Sequence, residues 1–319
     1  MNKKIIPIVI GIAGITILGY ALRSSLPQQE NPMPETQPNG QAKIQVVASF
    51  YPLAEVAKNV GSDLVEVTNI TPAGAEPHDY EPTPQDILKT YRTQVFIFNG
   101  NGVDTKTEKI EGDLKSKNIS TIKISDHLDS LKNNAPENNN QRGEAHDPHF
   151  WLDPLNVEKE ADVVAQALIA IDPGHEKEYT QNRDDFKQQL TDLDLQYQNG
   201  LAHCQLREIV TSHNAFNYLA KRYNLTTLYI LGLSPDAEPS PKTIADVVDV
   251  ARKKYITYIF FETLVNPKLA QTIASEIGAK TLVLNPIEGL TDAEIAQGKN
   301  YIRVMQDNLI NLRTALSCQ

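Results

Sequence analysis

Two cysteines, three methionines and one tryptophan are all that this 319-residue chain contains of those residue types. So little sulfur excludes a small scaffold held together by disulfides, and a chain of this length buries enough apolar surface to fold without such staples. Basic charge is also in deficit. Lys plus Arg number 30 against 40 Asp plus Glu, for a net charge of −10 at neutral pH. An acidic body argues against nucleic acid or anionic lipid as a partner and tolerates small cations. Long hydrophobic runs are missing except at the N-terminus, and 40% hydrophobic with 22% charged residues fits neither a polytopic membrane protein nor a disordered chain.

The one apolar run reads as an address. Lys3 and Lys4 precede an uncharged stretch from Ile5 to Leu22. It is long for a signal-peptide core and just long enough to span a bilayer, and Leu22-Arg23-Ser24-Ser25 lacks a small-x-small cleavage site. A cleaved export signal and a retained membrane anchor both remain open. No cysteine follows the run, which excludes lipid attachment there, and the Pro-, Gln- and Asn-rich piece from Pro27 to Gln41 predicts a flexible spacer. Residues 1–42 are therefore assigned to targeting and spacing, with the folded body on the periplasmic or other extracytoplasmic side. In such an oxidising compartment Cys204 and Cys318 are expected to pair, the alternative being two buried free thiols.

Short β-branched or aromatic runs occur at Ile44–Phe50, Val65–Ile70, Gln94–Asn99 and Ser120–Ser125. The rhythm returns at Glu208–Ser212, Thr227–Leu231, Thr257–Glu262 and Lys280–Asn285. Their spacing suits βα repeats feeding parallel sheets, which predicts an α/β protein of two similar (βα)4-type lobes, residues 43–174 and 200–319. Between them, His175 to Asn199 is nearly free of Gly and Pro, and Tyr179, Phe186, Leu190, Leu193 and Tyr197 share one helical stripe. A 25-residue helix rises about 37 Å, enough to join two lobes.

Four candidate metal ligands follow strands: His78 in Gly74-Ala75-Glu76-Pro77-His78-Asp79-Tyr80, His149 in His146-Asp147-Pro148-His149-Phe150-Trp151, His213 after Ser212, and Glu288 in Asn285-Pro286-Ile287-Glu288-Gly289. Open α/β sheets present ligands at the carboxyl ends of their strands. Two candidates come from each half, which points to a shared site between the lobes. Three neutral imidazoles and one carboxylate suit tetrahedral Zn²⁺, whereas Mn²⁺ favours more oxygen ligands.

These segments, together with Ser212-His213-Asn214-Ala215-Phe216, Glu238-Pro239-Ser240-Pro241, Ile259-Phe260-Phe261-Glu262 and the C-terminal run from Asn308 to Leu316, give the chain from about Ile44 onward a resemblance to a known family. It resembles the cluster A-I solute-binding proteins that deliver zinc or manganese to ABC-type importers. The resemblance implies two α/β lobes joined by one long helix, metal in the cleft between them, a membrane permease as partner and a monomeric state. It places His78, His149 and His213 on the family's three histidine positions, and histidine at the third favours zinc. For the fourth position it offers Glu288, as in streptococcal zinc binders, with water as the alternative; many relatives place Asp where this chain has Asn285.

Zinc-binding relatives often carry a His- and Asp-rich loop before the second ligand. The equivalent Asp126–Asp147 segment holds only His127 and His146 among its asparagines, which predicts a mobile, solvated insertion. Glu262 is expected to bond backbone amides at a strand end, Glu238-Pro239-Ser240-Pro241 to fix a turn and cap a helix starting near Lys242, Trp151 to wall the site, and His175 and His203 to be structural. Two other classes stay in view. A secreted zinc hydrolase would need a general base beside the ligands, and there is no His-Glu-x-x-His helix. An adhesin would bind its partner independently of metal. The family comparison therefore leads to a binding protein, not an enzyme, that captures Zn²⁺, with Mn²⁺ as the runner-up.

Overall fold

The computed structural model describes residues 42–131, 146–235 and 238–319. The proposed export segment and the asparagine tract from Asn133 to Asn140 lie outside them. Among the described residues no helix is long and apolar enough to cross a membrane.

The first lobe runs β1 (Ile44–Ala48), α1 (Tyr51–Gly61), β2 (Val65–Asn69), α2 (Pro84–Thr90), β3 (Val95–Phe98), α3 (Thr105–Glu108), α4 (Glu111–Ser116) and β4 (Ser120–Lys123). Its strands form one parallel sheet in the order β2-β1-β3-β4. All four residues of β3, Val95-Phe96-Ile97-Phe98, are buried, as expected of a strand covered on both faces, and this explains a continuous apolar run in place of alternation.

Two helices follow, α5 (Pro154–Ile171) and α6 (Glu176–Leu201). Asp153 caps α5 by accepting from the Leu155 amide, and Pro154 occupies the first helical position, where it has no bond to lose. The helix α6 is the long connection that the apolar stripe predicts, shifted to begin at Glu176 after a 3₁₀ turn, Pro173–His175, and to end at Leu201. Tyr179, Phe186, Leu190, Leu193 and Tyr197 are all buried along it. Gly200 lets α6 lie close against the last helix, since a Cβ there would lie 3.1 Å from Leu309 Cδ1.

The second lobe comprises β5 (Glu208–Thr211), α7 (Asn217–Arg222), β6 (Thr226–Tyr229), α8 (Pro241–Lys253), β7 (Tyr258–Phe261), α9 (Lys268–Ile277), β8 (Lys280–Val283), α10 (Asp292–Ala296) and α11 (Tyr301–Ala315). All eight expected strands form, each ending a residue or two early. The second sheet departs from the first. It consists of two parallel ladders, β5-β6 and β7-β8, and bonds from side chains join them: Ser212 Oγ donates to the Phe260 carbonyl at 3.3 Å, and Glu262 accepts from the His213 amide at 3.1 Å.

One apolar cluster runs from β1 and α1 through the α6 stripe to Tyr301, Met305 and Leu312 of α11, so the linker helix is a spine shared by both lobes. Its Tyr197 hydroxyl donates to the Met305 carbonyl at 2.7 Å. Just beyond α6, Cys204 and Cys318 form a disulfide that ties the start of the second lobe to the C-terminus. His175 pairs with Asp172 at 2.6 Å, and the His203 carbonyl accepts from the Gln319 amide at 3.0 Å, the structural roles expected of both. Within the Glu238–Pro241 segment expected to cap α8, Ser240 supplies the cap by accepting from the Thr243 amide.

Candidate metal centre

Each ligand candidate lies in a segment that follows a strand and is held by hydrogen bonds. His78 lies between β2 and α2. The capping box at the start of α2 anchors that loop on one side, with Thr83 and Asp86 bonded reciprocally and the Tyr80 hydroxyl donating to Asp86 at 2.7 Å. Burial opposes the Asp86 charge, but Thr83, Tyr80 and Lys89 outweigh it and hold the carboxyl down to about 2. On the other side the Gly74 amide donates to the Leu290 carbonyl of the second lobe at 3.0 Å. Gly74 has φ +77, a conformation that favours glycine.

His149 and His213 are held by the same device built from different parts. Asp147 Oδ1 accepts from the His149 backbone amide at 2.9 Å and faces its Nδ1 at 2.7 Å. Glu262 Oε1 accepts from the His213 backbone amide at 3.1 Å and faces its Nδ1 at 2.8 Å. A proton on each Nδ1 leaves each Nε2 lone pair aimed into the cleft, the arrangement that orients histidine ligands and raises their basicity. The expectation for Glu262 captured its bond to a backbone amide and missed its hold on the imidazole. Asp147 is steadied in turn from the second lobe, since Asn217 Nδ2 donates to its Oδ2 at 2.8 Å.

Glu288 follows β8 and is fully buried, as are His149 and His213. Its Oε1 lies 3.5 Å from His78 Nε2, 3.3 Å from His149 Nε2 and 3.3 Å from His213 Nε2, and the last two nitrogens are 3.3 Å apart. A regular tetrahedron with bonds of about 2.0–2.1 Å, the range for zinc and imidazole nitrogen, has edges of about 3.3–3.4 Å. Three of the six edges thus have the spacing of a zinc coordination sphere, and a fourth, from Glu288 to His78, is slightly longer at 3.5 Å. The ligand atoms of all four residues lie within 4.8 Å of one another. His78 Nε2 and both Glu288 oxygens are buried without a hydrogen-bond partner, an arrangement costly in a protein unless something else takes up their lone pairs.

Asn285, the competing fourth position, turns away from the cleft. Its Nδ2 donates to Thr263 Oγ1 at 3.0 Å and Glu294 Oε1 at 3.2 Å. His127 and His146 are exposed and take no part in the cluster. Trp151 forms the expected wall, its ring 5.3 Å from that of His149, and its indole N–H also donates across the cleft to the Pro286 carbonyl at 2.7 Å.

The charges in the site compensate one another. Burial works against the protonated His213, but the carboxylates of Glu262 and Glu288 outweigh it and raise its pKa well above the ordinary value. Burial likewise opposes charge on His149, and Asp147 with Glu288 raises it. Glu288 stays ionised because His213, His149 and His78 overcome the cost of burying it. Glu76, which the sequence did not single out, is pushed up to about 9 by burial and then by the Glu288 charge.

The zinc-uptake complex component A (ZnuA) family, described as periplasmic, matches residues 46–315. The chain is 35% identical over 280 residues to the high-affinity zinc uptake system protein ZnuA of Bacillus subtilis, covering 86% of this chain and 88% of that one. It is 35% identical over 283 residues to the zinc-binding lipoprotein AdcA of Streptococcus pneumoniae, but spans only 56% of that longer protein against 87% of its own length. The crystal structure of Zn(II)-bound AdcA superposes with a TM-score of 0.76 at 34% identity, covering 87% of this chain and 59% of the other. The laminin-binding protein Lmb of Streptococcus agalactiae, described as having adhesin and metal-transporting activity, superposes with a TM-score of 0.76 at 32% identity, over 86% and 99% of the two chains. With the family match spanning both lobes and the linker helix, the chain belongs to the ZnuA family of solute-binding proteins.

Proposed function

We propose that this protein captures Zn²⁺ outside the cytoplasm and passes it to the permease of an ABC-type importer, with His78, His149, His213 and Glu288 as the four ligands. The observation that carries this reading is the convergence of four buried ligand atoms near tetrahedral spacing, with His78 Nε2 and the Glu288 oxygens lacking any hydrogen-bond partner. A sphere filled by four protein ligands leaves no position for a substrate water, which suits a carrier and not a hydrolase. The carboxylates that position the imidazoles, Asp147 and Glu262, are committed to Nδ1 atoms and so do not serve as a general base. A single carboxylate among three imidazoles favours zinc over manganese.

The chain acts as a monomer in this reading, with residues 1–42 directing export and serving as either a cleaved signal or an anchor. Native mass spectrometry of the purified chain tests it. One zinc per chain, lost in His78→Ala and His213→Ala and weakened in Glu288→Ala, is the expected result. Manganese in the parent would move the assignment to the runner-up, and no metal at all would remove the transport reading.

A second reading rests on the likeness to the laminin-binding protein. Binding to laminin that survives His78→Ala would separate adhesion from metal capture.

A further inference from the structure

Ile287, the residue before Glu288, has φ +60 and is fully buried. A β-branched residue rarely adopts this left-handed conformation, and where one does the surroundings must enforce it. Its amide donates to Asn285 Oδ1 at 2.7 Å. We propose that Asn285 is the positioning residue for Glu288: by capturing the Ile287 amide it keeps Ile287 left-handed, and from that conformation Glu288 points at the three imidazoles. This inference rests on the reading of Glu288 as a zinc ligand.

The bracket around Asn285 is complete. Its backbone amide donates to Asn308 Oδ1 at 2.8 Å, and its carbonyl accepts from Asn308 Nδ2 at 2.7 Å, so a side chain of α11 takes the place of a neighbouring strand. The Asn285 side chain must accept from Ile287 and donate to Thr263 and Glu294 at once. A primary amide meets both demands on one planar group, whereas a carboxylate would meet the first and repel Glu294. The other side of the loop is held by Trp151 on the Pro286 carbonyl and by Gly74 on the Leu290 carbonyl. Those bonds start from the segments that carry His149 and His78. Three of the four ligand loops therefore meet around Ile287, and Asn285 supplies the contact that sets its conformation.

The test uses the full chain with zinc affinity from chelator competition, the visible spectrum of the Co²⁺-loaded protein, and the crystal structure of a metal-free variant. Asn285→Ala is expected to weaken zinc roughly 10- to 100-fold, the range for residues that orient metal ligands, and to weaken the tetrahedral cobalt bands. In its metal-free crystal structure, Ile287 should leave positive φ. An Asn285→Ala protein with a lower Tm but parental zinc affinity and cobalt spectrum would overturn the proposal, because a purely structural residue behaves that way. So would an Ile287 that keeps its left-handed conformation in the variant, a result that needs no metal. Loss of zinc binding in the parent would instead remove the functional reading on which the proposal stands, and the proposal with it.

Discussion

His149 Nε2 and His213 Nε2, brought from opposite lobes, lie 3.3 Å apart in the cleft. Two ring nitrogens this close cannot both carry protons toward each other, and the Glu288 carboxylate lies 3.3 Å from each. A metal ion entering the site must displace those protons.

Zinc affinity should therefore fall with falling pH, and the fall should begin above the ordinary histidine value of 6.5 because both imidazoles are shifted upward. Calorimetric titration at pH 7.5 in buffers of different ionisation enthalpy should show net proton release. An observed binding enthalpy independent of buffer would contradict this.

The metal-free protein should show the opposite trend in stability. A histidine whose folded pKa is raised contributes stability that is present below its unfolded value and lost as pH rises through the folded one, while Glu288, shifted downward, contributes above its unfolded value of 4.5. The site thus stabilises the metal-free form most between about pH 4.5 and 6.5. Thermal melts in the presence of a chelator should give a Tm that declines from pH 6 toward pH 9, and excess zinc should reverse the slope.

Glu160 adds to that decline. It is buried in α5 with neither oxygen hydrogen-bonded, and burial pushes its carboxyl up to about 8. Ionising it at alkaline pH costs stability. Glu160→Gln should raise the Tm at pH 8.5 and change it little at pH 5; equal effects at both pH values would show that the carboxyl does not titrate in this range.

Asp147→Ala and Glu262→Ala should each weaken zinc about 10- to 100-fold while leaving one zinc per chain at saturation, because they free an imidazole to rotate without removing a ligand. Chelator competition measures this, and parental affinity in both variants would refute the orienting role.

The disulfide closes a sequence separation of 114 residues. In the chain-entropy account a loop of this size contributes about 4–5 kcal/mol, an upper figure. The paired variant Cys204→Ser with Cys318→Ser should unfold at a clearly lower denaturant concentration than the parent in oxidising buffer and bind zinc with the same stoichiometry.

Much of this was legible in the chain itself. Spacing of apolar runs located all eight strands, and the stripe from Tyr179 to Tyr197 located the spine, since burial of one face imposes its period directly on the residues. Cys204 and Cys318 were a pair by count. His78, His149 and His213 stood out because imidazoles after parallel strands project into the crevice that those strands open onto. Asp147 also left a local signal, two residues before His149, that was not read as an orienting group.

The remainder depends on contacts between residues distant in sequence, and these have no period to reveal them. Glu262 reaches His213 across 49 residues, Trp151 reaches Pro286 across 135, and Asn308 brackets Asn285 across 23. The choice between Asn285 and Glu288 as the group facing the imidazoles turns on one left-handed residue, Ile287, whose conformation runs against its own preference. Composition and periodicity determined an acidic two-lobed α/β protein with three histidines in its cleft. Only the tertiary structure shows how Glu288, already favoured by the family resemblance, is turned toward them while Asn285 is turned away, because that depends on the packing of Asn308, Trp151 and Asn285 around a single backbone angle.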